Sequence, residues 1–212
     1  ALHGFGYTVS GPRLKGHGIS PAAMAKSTAA DWIASLEDAI TDLRQSCSRL
    51  FVGGLSMGGT LTLYLAGKYP DLFAGAFPIN AVIHPDSTGL AGLAFDRNAP
   101  QTIPGIGSDV KDPNAKELAY SEVPIPCIKE IYSLAAVTRD LLPLVKCPTL
   151  VIQSRIDHVV PPVNGRTIIS QIGADHAELF WLENSYHVAT IDNDKDIICA
   201  EVHRLISSNS RA

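Results

Sequence analysis

The chain carries little charge of either sign. Only 18% of its residues are Asp, Glu, Lys or Arg, and the formal net charge is −4. There is no basic cluster or stripe, which argues against a nucleic-acid partner. Long apolar runs are also missing. The longest uncharged stretch, residues 50–67, is broken by glycines and hydroxyls, whereas a membrane-spanning helix needs roughly 20 predominantly apolar residues. Stable membrane insertion is therefore not expected. Cysteine is sparse: Cys47, Cys127, Cys147 and Cys199 are the four present. None forms a CxxC pair or a Cys/His pair at metal-ligand spacing, so a metal or redox role is not expected. Free thiols in a reducing, cytoplasmic setting are expected, with one disulfide left open. Internal repeats and low-complexity tracts are absent.

What is present is a chain of 212 residues with 46% hydrophobic content, enough for one domain with a substantial core. Thr28 with Asp31 reads as a capping box, and Trp32, Ile33, Leu36, Ile40 and Leu43 follow at helical spacing. Residues 50–53 form a short apolar strand, 59–67 a buried helix, and 73–79 another apolar strand. This alternation predicts a parallel sheet covered by helices on both faces. It returns at 149–153 (strand), 163–172 (helix), 178–182 (strand) and 194–206 (helix). Between residues 81 and 143 prolines are frequent, strand signals fade, and only 128–142 reads as a helix. That segment is expected to be an inserted cap, with 1–80 and 144–212 forming the core. Nearer the start, residues 7–9 read as a strand, and Ala1 and Leu2 as the end of another.

Gly54-Leu55-Ser56-Met57-Gly58 sits where an apolar strand turns directly into an apolar helix. Such a turn strains the backbone at the serine and lifts its hydroxyl above the sheet edge, with flanking glycines leaving room. The helix start below offers free N–H groups and a positive dipole end, so Met57 N–H is the expected oxyanion donor. A serine hydroxyl needs a base. His187 follows the 178–182 strand, and Asp157 follows the 149–153 strand. Both loops leave the carboxyl edge of a parallel sheet, the edge from which Ser56 emerges. The order Ser, Asp, His is the one stated for α/β-hydrolases. His84 and His176 lack that placement, His203 falls in the last helix, and His158 stands beside Asp157, so the backbone would aim its side chain differently. Asp140 is a distant second choice of acid, and Asp192 is expected to serve the start of the last helix.

Leu2-His3-Gly4-Phe5, Gly16-His17-Gly18, Gly54-Leu55-Ser56-Met57-Gly58-Gly59, the Asp157 loop and Ser185-Tyr186-His187-Val188 together resemble the bacterial carboxylesterase and monoacylglycerol lipase branch of the α/β-hydrolases. Small thermostable Bacillus-type carboxylesterases are the nearest match. The resemblance covers nearly the whole chain, though the cap only loosely. It implies an α/β-hydrolase fold and cleavage of short- to medium-chain acyl esters or monoacylglycerols through an acyl-enzyme on Ser56. No cofactor or metal is implied. Phe5 N–H would be the second oxyanion donor, and the Gly16-His17-Gly18 turn would shape the entrance. Tyr186 departs from the family, whose members usually carry Gly there. The family also places a crossover helix between the oxyanion loop and the strand that begins near Gly6. Phe5 and Gly6 leave no room for one. A segment missing after residue 5, and strands missing before Leu2, are therefore expected.

From the cap, Ile125, Ile128, Ile131, Tyr132 and Leu134 are candidates to line the acyl pocket. The partner is a small-molecule ester, and the assembly state a monomer or weak homodimer. Amide, thioester or carbon–carbon cleavage on the same residues stays open, as does a non-catalytic binder. A dehalogenase would need a carboxylate where Ser56 stands.

Overall fold

The computed structural model describes residues 1–85 and 88–210. Its centre is a four-stranded sheet of β1 (Leu50–Leu55), β2 (Phe73–Ile79), β5 (Thr149–Ser154) and β6 (Ala177–Leu182), in the spatial order β1-β2-β5-β6 and parallel throughout. Parallel neighbours need a crossover of a dozen or more residues. Three segments, each containing a helix, supply it: α3 (Met57–Lys68), the long segment ending in α5 (Ile125–Leu141), and α6 (Val163–Gln171).

The side-chain alternation of β5 shows how the core is divided. Leu150 and Ile152 join a cluster with Ile198, Val202, Leu205 and Ile206 of α7 (Lys195–Asn209), while Val151 joins Leu63 of α3 and Ile168 of α6 on the other face. Successive strand residues point to opposite sides, so β5 is covered on both faces and buried along its whole length. The three residues at its centre, Leu150, Val151 and Ile152, are accordingly all apolar.

After the one-turn helix α1 (Pro21–Met24), helix α2 (Ala29–Arg44) starts as expected. The Thr28 side chain accepts from Asp31 N–H, and the Asp31 carboxylate accepts from Thr28 N–H at 3.0 Å. Its apolar stripe packs on β1, β2 and α3, and Trp32 is fully buried, donating its indole N–H to Ser27 Oγ at 3.1 Å.

The segment 81–143 is more regular than expected. It contains α4 (Thr88–Phe95), a short antiparallel pair β3 (Thr102–Pro104) and β4 (Glu122–Pro124), and α5. The strands escaped notice because each is three residues long and bounded by proline. Helix α5 begins three residues before the expected start, with Pro126 in its first turn, a position where the missing N–H costs nothing.

The strand expected at residues 7–9 does not form. Leu2–Phe5 make a 3-10 turn closed by Gly6 at φ 88°, and residues 7–14 have no regular structure. Tyr7 turns instead to α7, where its hydroxyl bonds to His203 Nδ1 at 2.8 Å. β1 is an edge of the sheet. Among the described residues, no helix is long and apolar enough to cross a membrane, the four cysteines are free thiols, and no cluster of His, Cys, Asp or Glu is grouped for a metal.

Candidate active site

Ser56 occupies the turn between β1 and α3 with φ 56° and ψ −120°, a backbone region that non-glycine residues rarely adopt. The tightness of the turn explains part of its glycine pattern. A Cβ on Gly54 would meet the carbonyl carbon and oxygen of Gly58 at 2.6 Å, and one on Gly59 would meet the Ala81 Cβ at 2.7 Å. Gly58 itself has open space, so the expectation that the glycines at 54 and 58 make the room is corrected: the crowded pair is Gly54 and Gly59. Met57 opens α3, and N–H groups of a first helical turn have no intrahelical acceptor. They are free to meet negative charge beside Ser56.

His187 and Asp157 meet although they lie 30 residues apart. The His187 Nδ1–H donates to Asp157 Oδ2 at 2.8 Å, with side-chain exposures of 7% and 0%. That bond leaves the other ring nitrogen as the acceptor. The second oxygen of Asp157 accepts from Val159 and Val160 N–H at 2.9 and 2.7 Å, which holds the carboxylate still. Ser56, Met57 and His187 all line one cleft of about 750 Å3, walled by Leu14, Met24, Leu55, Ile106 and Val123, with Glu117 and Glu122 as polar groups. A strained serine and an imidazole oriented by a buried carboxylate, sharing one cleft, can carry out nucleophilic acyl transfer.

The His187 loop is held by residues that the sequence reading passed over or placed elsewhere. Asn80, at φ 44° and fully buried at the end of β2, donates to the His187 carbonyl at 2.7 Å and accepts from Ser154 N–H at 2.7 Å. Ser154 Oγ–H donates to the Tyr186 carbonyl at 2.8 Å. Asp192 does more than serve the last helix. Its Oδ1 accepts from Asp112 and Asn193 N–H at 2.9 and 2.8 Å, and its Oδ2 from Lys111 and Tyr186 N–H at 2.8 and 2.9 Å. Burial pushes this carboxyl upward, but the backbone donors outweigh burial and hold it below the ordinary aspartate value. One ionised side chain thus fastens the segment at 111–112 to the base loop. Asp194 caps nothing with its side chain and accepts from Asn184 N–H at 2.8 Å instead.

Other expected site residues lie elsewhere. Phe5 is not among the residues that line the cleft; its ring stacks on His203 of α7 at 4.3 Å between centroids. The stack on His203 places Phe5 against α7 and outside the cleft lining, so the structure does not bring its N–H to Ser56 as expected of a second oxyanion donor. Ile125, Ile128, Ile131, Tyr132 and Leu134 also lie outside the lining. Ile125 and Ile128 pack with Ala94, with Tyr132 against them, while Leu134 and Ile131 pack around Trp32 and Leu61. Their helical spacing is that of a helix sealing the core. The cleft is lined instead by residues 106–123, flanked by the Gly16-His17-Gly18 turn. Tyr120 joins these two parts: its hydroxyl accepts from Ile19 N–H at 2.7 Å and donates to the Gly16 carbonyl at 3.1 Å.

A parallel sheet with a strained serine at its carboxyl edge, and a buried aspartate–histidine pair on the following loops, is the architecture of an α/β-hydrolase. The comparisons narrow this. The model of the family described as serine aminopeptidase, S33 (Hydrolase_4) matches residues 1–194, and this chain belongs to that family. It is 45% identical over 193 residues to a thermostable monoacylglycerol lipase of Bacillus sp. strain H-257, covering 91% of this chain and 76% of that one. It is 27% identical over 205 residues to a carboxylesterase of Bacillus subtilis, covering 95% and 81%. A solved structure from work on LipS and LipT, two metagenome-derived lipolytic enzymes, matches at TM-score 0.94 and 53% identity over 97% of this chain and 84% of the other.

Proposed function

We propose that this chain hydrolyses carboxylic esters of short to medium acyl length, monoacylglycerols among them, through an acyl-enzyme on Ser56. The observation that carries the reading is the buried 2.8 Å bond between His187 and Asp157 on the cleft that also exposes the Ser56 elbow. In this mechanism Ser56 attacks the ester carbonyl while His187 takes its proton. Met57 N–H receives the oxyanion, and the alcohol leaves with the proton from His187. Water, activated by the same ring, then frees the acid. Asp157 holds the tautomer and balances the imidazolium. The apolar wall suits an acyl chain, and Glu117 and Glu122 suit the hydroxyls of a small polyol leaving group. The lipolytic names of the relatives at 45% and 53% identity support the ester reading.

The same carboxylates also suit the ammonium end of a peptide, the substrate that the family description names. A panel of p-nitrophenyl esters of rising chain length, a monoacylglycerol and an aminoacyl anilide separates the two. The ester reading expects turnover of the esters and the glyceride, and Ser56 labelling by a fluorophosphonate that is lost in Ser56→Ala. Turnover of the anilide alone, or no labelling at Ser56, would overturn it.

A further inference from the structure

We propose that Asp109 is a positioning residue that locks the loops carrying Asp157 and His187 into register from the cleft side; the proposal rests on the reading of Ser56, His187 and Asp157 as the catalytic set. Asp109 lies in the stretch between β3 and β4, 78 residues before His187. Its Oδ2 accepts from His187 N–H at 3.0 Å and from His158 N–H at 3.2 Å, and its Oδ1 accepts from His158 Nδ1–H at 2.7 Å. Its main-chain carbonyl accepts from Val188 N–H at 3.0 Å. One residue therefore grips the backbone at His187 and Val188, together with the residue next to Asp157.

Tyr186 closes the circuit, because the His158 ring stands edge-on to it at 4.6 Å between centroids and 81° between planes. The chain thus runs Tyr186, His158, Asp109, His187 and returns to Tyr186. Tyr186 is the position where the family resemblance implies Gly, and in this chain its ring stands against His158.

The chemistry fits an acceptor-only group. Each carboxylate oxygen faces N–H donors, so an ionised Asp satisfies the whole set. Burial pushes the Asp109 carboxyl upward, but the donors from His158 and His187 outweigh it and keep it below the usual aspartate range. Its side chain is 14% exposed against 57% for His158, so its bonds are better shielded than those of a surface pair. The consequence lies in the geometry of proton transfer. The Asp157 bond sets the tilt of the imidazole, but the backbone sets where the ring stands relative to Ser56. Asn80 and Ser154 hold that backbone from the sheet side, and Asp109 holds it from the cleft side. Asp109 also lines the cleft, so the same residue joins the wall of the substrate site to the base.

The test compares steady-state kinetics on p-nitrophenyl butyrate, and fluorophosphonate labelling of Ser56, for the wild-type chain, Asp109→Ala, Asp109→Asn and His158→Ala. Loss of the grip in Asp109→Ala should lower kcat about 30-fold and leave KM within about twofold, with labelling slowed in proportion. In Asp109→Asn the amide oxygen can face the backbone N–H groups and the amide nitrogen can donate to His158 Nδ1, so kcat should return to within about threefold of wild type. His158→Ala removes one arm and should lower kcat about threefold. The proposal is overturned if Asp109→Ala keeps wild-type kcat, if its loss is carried by KM, or if Asp109→Asn is as impaired as Asp109→Ala. Should Asp109→Ala fail to fold, His158→Ala decides: a lowered kcat at unchanged KM supports the proposal, and an unchanged kcat overturns it. Failure of the underlying reading is separate, since it would appear as absence of Ser56 labelling in the wild-type chain.

Discussion

The sheet and the segment at 81–143 are built on different principles. The sheet and its covering helices are held by apolar contact on both faces, and their elements announce themselves locally: β5 has an apolar centre, Leu150 to Ile152, and α2 carries a capping box. The cleft-lining part of the 81–143 segment is held by single polar residues reaching across the chain. Asp192 accepts the backbone at 111–112, Asp109 holds the backbone at 187–188, and Tyr120 reaches residues 16 and 19. The lesson is that the sheet places the chemical groups, while a few buried carboxylates decide how the substrate wall sits on them.

The largest effect expected is at the sheet edge. Ser56→Ala or His187→Ala should lower kcat on the order of 10⁶-fold, by analogy with residues that act as one unit in other serine hydrolases; Ser56→Ala should leave the far-UV spectrum unchanged, whereas His187→Ala also lowers the unfolding midpoint because it strands the buried Asp157 carboxylate. Next comes the elbow glycine. Gly54→Ala forces its new Cβ against the Gly58 backbone, which should cost about 2 kcal/mol of stability and displace Ser56 enough to lower kcat about 100-fold. Gly58→Ala, with open space at its Cβ, is the control and should leave both within about twofold. A Gly58 variant as damaged as the Gly54 variant would break the steric account.

The polar joint comes third. Asp192→Asn turns one of two oxygens, each accepting a pair of N–H groups, into a donor, and should cost about 3 kcal/mol in urea unfolding. The pH dependence has a definite sign. A carboxyl depressed in the folded state contributes stability above its unfolded value, and that contribution is lost as pH falls through the folded value. The difference between wild type and Asp192→Asn should therefore be full at neutral pH and shrink as pH drops below the ordinary aspartate value of 3.8. The smallest effect is expected at Tyr120→Phe. It should cost about 1 kcal/mol for the lost hydroxyl bonds and leave kcat unchanged, as measured by unfolding and by the ester assay.

Most of the sheet was legible because burial on two faces writes itself as runs and periods in neighbouring residues. That Asp157 and His187 would meet, and that Ser56 would share a cleft with His187, followed from the shared edge on which strands of a parallel sheet end. The polar joints were not legible. Asp109 lies in a proline-bounded stretch without periodicity, and His158 was discounted for standing beside Asp157 although its ring turns toward Asp109. The isoleucines of α5 misled for the opposite reason. Helical spacing shows that a face is buried but not against what, and here it seals the Trp32 cluster rather than the cleft. The strand at 7–9 failed because a short β-prone triplet does not say what it packs on, and Tyr7 bonds to His203 of α7 instead.

The amino-acid order by itself determined the parallel sheet, the strained serine at its edge, and the aspartate and histidine on the loops that follow, because each depends on short-range pattern and chain order. Only the folded chain decided which residues wall the cleft and which carboxylates fasten it. Those choices are hydrogen bonds between backbone groups and single side chains about 80 residues apart, and no local periodicity encodes a partner at that distance.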